Sequence, residues 1–137
     1  MAEPFARYLF NKAIEENWSV NKISITLKKI TDPLTRTEVA YHFADFSDSQ
    51  TTFELDTYTY AALQVAKESL PLLKDGAETD NFTKSIYELY TSVETKLISE
   101  AETLLVHGRM ADAERLYKLL GKDFSPITKA FNQTRKH

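Results

Sequence analysis

Three histidines, His42, His107 and His137, are the side chains of this 137-residue chain best suited to proton transfer or metal binding. They lie far apart, and none joins a recognisable metal-ligand pattern. Glu100 and Glu102 fall on different faces of a helix, so they do not form a carboxylate pair. There is no cysteine, and hence no disulfide and no thiolate chemistry. Only three glycines occur, each placed as punctuation rather than in a phosphate-binding loop. Nothing singles out a nucleophile. The chain therefore reads as a non-enzyme, with no cofactor and no metal.

The stretch 34–43, LTRTEVAYHF, is similar to the first helix of helix-turn-helix proteins, where a Thr-x-x-Glu-Val-Ala pattern is common. That resemblance implies duplex nucleic acid as a partner and makes residues 48–60 the recognition helix. Here the turn glycine is missing, and residues 48–60 hold three acids and no base. Such a helix is repelled by the phosphate backbone that supplies most binding energy. A second basis for nucleic-acid binding is the cationic series Lys118, Lys122, Lys129, Arg135 and Lys136. The plainer reading of those side chains is a solvated helix face.

The longest regular stretch is 80–120. Phe82, Ile86, Leu89, Val93, Leu97, Ala101 and Leu104 recur at steps of three and four, the stripe of an amphipathic helix. Asp80 is placed to cap it and Gly108 to end it. At 1.5 Å per residue it is roughly 40 Å long. Ala113, Leu116, Tyr117 and Leu120 mark a second helix, stopped at Gly121, and the short connection makes an antiparallel hairpin. The run 101–117 resembles half of a tetratricopeptide repeat: small residues at Ala101 and Ala113, Gly108 in the turn, and the aromatic Tyr117. The likeness covers about one repeat and supplies no binding residues. An ordinary helical hairpin accounts for the same spacing.

The N-terminal residues 4–17 read as a helix with Pro4 in its first turn. Phe5, Tyr8, Leu9, Lys12 and Ala13 share a face, and Trp18 closes it. Residues 19–55 allow two readings. Ile23, Ile25 and Leu27 alternate with Ser24, Thr26 and Lys28; Thr37, Val39, Tyr41 and Phe43 alternate with Glu38, Ala40 and His42. Period two and dense β-branching predict strands, with Asp32-Pro33 as a turn and a third strand at 51–55. The same residues fit helices: Val20, Ile23, Leu27 and Ile30 after a Ser19 cap, then Val39, Ala40, Phe43 and Phe46. The strand reading is the expected one, because Ile-Ser-Ile-Thr loses χ1 freedom in a helix. Asp56 then caps a helix that Pro71 ends near Ser69. Ser125-Pro126 would start a last helix with Ile127, Ala130 and Phe131 on one face.

The expected fold is thus α+β and mostly helical. A small antiparallel sheet, at about residues 22–55, lies between an N-terminal helix and a C-terminal helical bundle with a long-helix hairpin. The alternative is all-α. Residues 1–137 are read as one domain. No apolar run approaches the ~20 residues that span a bilayer, and MAEPFARYLF lacks the build of a signal peptide. A soluble, cytoplasmic protein is expected, with no membrane partner.

Net charge is −3, unevenly spread. Residues 37–66 hold five acids and no Lys or Arg, whereas residues 108–137 hold seven bases and three acids. A solvated surface accounts for such a split; head-to-tail self-association, or a basic tail docking to an acidic partner, is the functional reading of it. Tyr58, Tyr87 and Tyr90 are expected to stay exposed, and Tyr87, Tyr90, Leu105 and Val106 lie off the main stripe of the long helix. With Lys118, Lys122, Lys129 and Arg135 they are the candidate partner-binding residues. The expected function is a non-enzymatic protein-interaction module, a small accessory or regulatory subunit. The alternative is a nucleic-acid-binding regulator.

Overall fold

Side-chain caps, not alternation, decide residues 19–55. The computed structural model describes residues 2–49, 53–74 and 76–124. Its elements are α1 (Ala2–Glu16), α2 (Val20–Lys28), α3 (Pro33–Asp48), α4 (Phe53–Ser69), a 3₁₀ turn (Leu70–Leu72), α5 (Ala77–Val106) and α6 (Met110–Leu119). No strand occurs among the described residues, so the expected α+β fold is wrong and the all-α alternative is right.

The physical reasons are local. Ser19 Oγ accepts from the Lys22 amide at 3.1 Å and opens α2. Asp32 Oδ2 accepts from both the amide (3.0 Å) and the hydroxyl (2.6 Å) of Thr35. Pro33 fills the first position of α3, so Asp32-Pro33 is a helix start rather than a hairpin turn. Ile23 and Leu27 are buried but Ile25 is 49% exposed, which breaks the alternation a strand would need. In α3, Val39, Ala40, Phe43, Ala44 and Ser47 are buried at helical spacing. Thr37, fully buried on the same helix, satisfies its hydroxyl by donating to the Pro33 carbonyl at 2.7 Å. Of the expected strand 51–55, residues 51 and 52 lie outside the described residues, and the rest belongs to α4.

The described residues form two compact units, Met1–Val93 and Glu94–His137. In the first, α3 lies along α4, with α1 on α3 and α2 on α4. Tyr60, Ala61, Ala62, Leu63, Val65 and Ala66 are all buried, which makes α4 the centre. Its alanines let neighbouring backbones approach closely. On α1 the buried face is Ala6, Leu9 and Ala13. Phe5 and Tyr8, expected on that face, are exposed instead. The first half of α5 closes the unit: Ile86 and Val93 are buried, Phe82 meets Tyr41 edge-on at 5.0 Å, and Tyr90 lies on Tyr60 at 5.3 Å.

The second unit contains the rest of α5 and α6. Leu97, Ala101, Leu104 and Leu105 are buried on one helix, and Ala113, Leu116 and Tyr117 on the other. Gly108, at φ 76°, ends α5: its amide donates to the Leu105 carbonyl, and that of Arg109 to Leu104. Tyr117 on α6 lies near Glu102 on α5: burial first, then that carboxylate, push its hydroxyl above its usual pKa. The expected last helix, with Ile127, Ala130 and Phe131, lies outside the described residues. Asp80 and Asp56 are not caps, because α5 and α4 begin three residues earlier.

Candidate functional site

Leu34, Glu38 and His42 stand four residues apart on α3, which puts them on one face. With Leu73, Thr79 and Phe82 they line a recess of about 300 Å³ in the first unit. A second recess, of about 430 Å³, shares Leu34, Leu73 and Thr79 with the first. Asp32, Pro33, Leu72 and Lys74 extend its lining. The two form one groove across the start of α3, the 3₁₀ turn and the start of α5. Volumes of this order fall within the ~300–1,000 Å³ range of ligand clefts.

Each wall has a local origin. The Asp32 cap and Pro33 project Leu34 from the first turn of α3, where it is 50% exposed. Pro71 cannot continue α4, and the chain it deflects presents Leu72, 61% exposed. Thr79 is tied down by its hydroxyl, which donates to the Lys74 carbonyl at 2.8 Å. Phe82 is held by the ring of Tyr41. The floor is therefore apolar, with Glu38, His42 and Thr79 as polar groups along it.

Charge around the groove is predominantly negative. Hydrogen bonds from the Thr35 hydroxyl and amide hold the Asp32 carboxyl below its usual pKa, so it is ionised at neutral pH. Glu38 has no ion-pair partner among the described residues. Asp45 lies further along α3, where burial first and then this carboxylate raise the Tyr41 hydroxyl. The cation of α3, Arg36, is turned inward: its Nε donates to Ser69 Oγ at 2.7 Å and its Nη1 to the Ile30 carbonyl at 3.0 Å. Lys74 is the cation in the groove lining.

The residues proposed from sequence fare differently. Tyr87 and Tyr90 come together around Lys67, whose Nζ is 5.7 Å and 4.4 Å from their ring centroids. Tyr87 is exposed; Tyr90 is half-buried, its hydroxyl 3.0 Å from that of Tyr60. Tyr58, expected in solvent, is buried, and its hydroxyl donates to the Trp18 carbonyl. In the second unit Leu105 is only 6% exposed, so it belongs to the core, whereas Val106 is 78% exposed. Lys118 and Lys122 are exposed. Lys129 and Arg135 lie outside the described residues. No group of three or more potential metal ligands occurs among the described residues. None of their helices is long and apolar enough to cross a membrane.

Sequence reasoning missed the groove. Its one signal was an apolar side chain next to each of two prolines, Leu34 after Pro33 and Leu72 after Pro71, at positions where a chain reversal is usually polar. No family model, characterised protein or solved structure matches this chain.

Proposed function

We infer that the chain is a non-enzymatic protein-interaction module, a small accessory or regulatory subunit, whose first unit receives an apolar segment of a protein partner. The observation that carries this reading is the groove, with Leu34 and Leu72 presented to solvent over an apolar floor. Exposed apolar area of this kind is costly in water and marks interaction surfaces. The polar groups present, Glu38, His42 and Thr79, suit orientation of a docked segment.

The rival reading, a nucleic-acid-binding regulator, gains little from this arrangement. The helix that would have to enter a DNA groove is α4, and α4 is the most enclosed helix of its unit. Its early turns also carry Glu54 and Asp56.

Selection from a displayed library of random peptides tests the proposal. The expected binders carry apolar residues at helical spacing, compete with one another, and lose binding to Leu34→Asp and Leu72→Asp variants. Binders indifferent to both substitutions, or a steeply salt-dependent association with duplex DNA or RNA, would overturn it.

A further inference from the structure

The groove has a distinct chemistry: an apolar floor, acids at its mouth and along its α3 wall, and one lysine in its lining. The residues after Phe124 have the opposite one. Phe124 is the last described residue, its ring on Tyr117 at 5.5 Å. Residues 125–137, SPITKAFNQTRKH, carry Lys129, Arg135 and Lys136 and no acid. Read at helical spacing, Ile127, Ala130 and Phe131 share one side of that stretch, with Ser125-Pro126 as its start.

We propose that this groove is the seat of residues 125–137 of a second copy of the chain. The inference rests on the reading of the groove as a docking site and adds the occupant. Three arguments support it. The apolar series Ile127, Ala130 and Phe131 supplies a helix face for Leu34, Leu72 and Phe82, the helix-in-groove mode of recognition. The three cations match Asp32, Glu38 and Asp45; such complementarity sets encounter rate and orientation more than affinity. Length also fits: the thirteen residues 125–137 would span about 20 Å as a helix, between three and four turns. Two copies that exchange these stretches form a closed dimer with two identical sites, whereas one-way docking continues into an open chain.

Light scattering coupled to size exclusion, on the full chain at micromolar concentrations, reads the outcome. The expected mass is near twice the 15.7 kDa of one chain at low salt, falling with dilution and with added salt. Leu34→Asp and Phe131→Asp should each raise the dissociation constant about tenfold or more, with unchanged far-UV circular dichroism. Leu34 is half exposed, so its substitution leaves the core intact. Mixed in equal amounts, the two variants should regain a dimer, because one supplies an intact groove and the other an intact segment. A clean monomer at every concentration and salt overturns the proposal, as does a Phe131→Asp variant that still dimerises. If dimerisation survives Phe131→Asp but not Leu34→Asp, the groove is a docking site and only the occupant is wrong. If it survives both, the groove reading falls with it.

Discussion

Arg36 reaches from α3 to Ser69, the last residue of α4: its Nε donates to Ser69 Oγ at 2.7 Å while its Nη1 donates to the Ile30 carbonyl at 3.0 Å. Ser69 passes the link on, its hydroxyl donating to the Val65 carbonyl at 2.8 Å. One planar guanidinium therefore joins the end of α4 and the α2–α3 connection to α3, two residues after Leu34 in the chain.

Arg36→Ala should destabilise the first unit by about 1.5–3 kcal/mol, the range for hydrogen bonds to charged groups. Arg36→Lys should recover little, because an ammonium cannot make both bonds from one rigid fork. Trp18, the only tryptophan, lies in the same unit, so its fluorescence during urea unfolding reports the loss. A cost below about half a kcal/mol would show that the pair is incidental.

Burial separates the core from the groove sharply enough to predict opposite responses. Leu63→Ala removes a fully buried side chain at the centre of α4 and should cost about 2–5 kcal/mol. Leu72→Ala, at a 61% exposed position, should stay within about 0.5 kcal/mol. Paired urea titrations give both values. A large cost at Leu72 would make it a packing residue and remove the reason to regard it as available to a partner.

How much of this was legible depended on how local the determinant was. Gly108, Pro71 and the stripe from Phe82 to Leu104 act within one or two turns, and their helix endings and buried faces could be read directly. Ser19 and Asp32-Pro33 are equally local, yet the alternation of Ile23, Ile25 and Leu27 hid them. A period of two and a period of 3.6 agree over Ile23 and Leu27 and differ only at Ile25, whose exposure no short window reveals. The groove was not legible, because Leu34, Leu73, Thr79 and Phe82 meet only once three helices have packed. The burial of Leu105 was not legible for a related reason: the stripe of α5 is wider near its end, where Leu104 and Leu105 are both buried.

The titrating groups predict loss of stability toward acid. Glu16 is held below the usual carboxylate range by hydrogen bonds from Trp18 Nε1 and then Lys12, and Asp32 by those from Thr35. A group whose folded pKa is depressed contributes stability above its unfolded pKa, about 4 for carboxyl groups, and that contribution disappears as pH falls through the folded value. Stability should therefore decline below about pH 4–5. Trp18 fluorescence should titrate with a midpoint below that of an ordinary glutamate, and Glu16→Gln should abolish that transition while leaving the Asp32 contribution. Toward alkali the sign reverses for Tyr41, raised chiefly by burial: its contribution is complete below the unfolded pKa of about 10 and is lost as pH rises through the folded one.

Asn17 and Gly108 are left-handed positions that close helices by one hydrogen-bond pattern, which Gly121 shares, but they are different residues and so should answer substitution differently. At Asn17, φ is 52°, its amide donates to Ile14 and that of Trp18 to Ala13; at Gly108, φ is 76° and the acceptors are Leu105 and Leu104. A Cβ at Gly108 would meet nothing within 4 Å, so a side chain there costs backbone strain alone. Gly108→Ala should lose about 1–2 kcal/mol, the penalty for an L-residue in this region. Gly108→Asn should lose less, because asparagine tolerates these dihedrals. Asn17→Gly releases the strain already present but frees the unfolded chain, so the two effects nearly cancel. Thermal unfolding followed by far-UV circular dichroism distinguishes the three. If Gly108→Ala proved neutral, the α5–α6 turn would have a conformation other than the left-handed one, and the return of α6 beside α5 would need a different explanation.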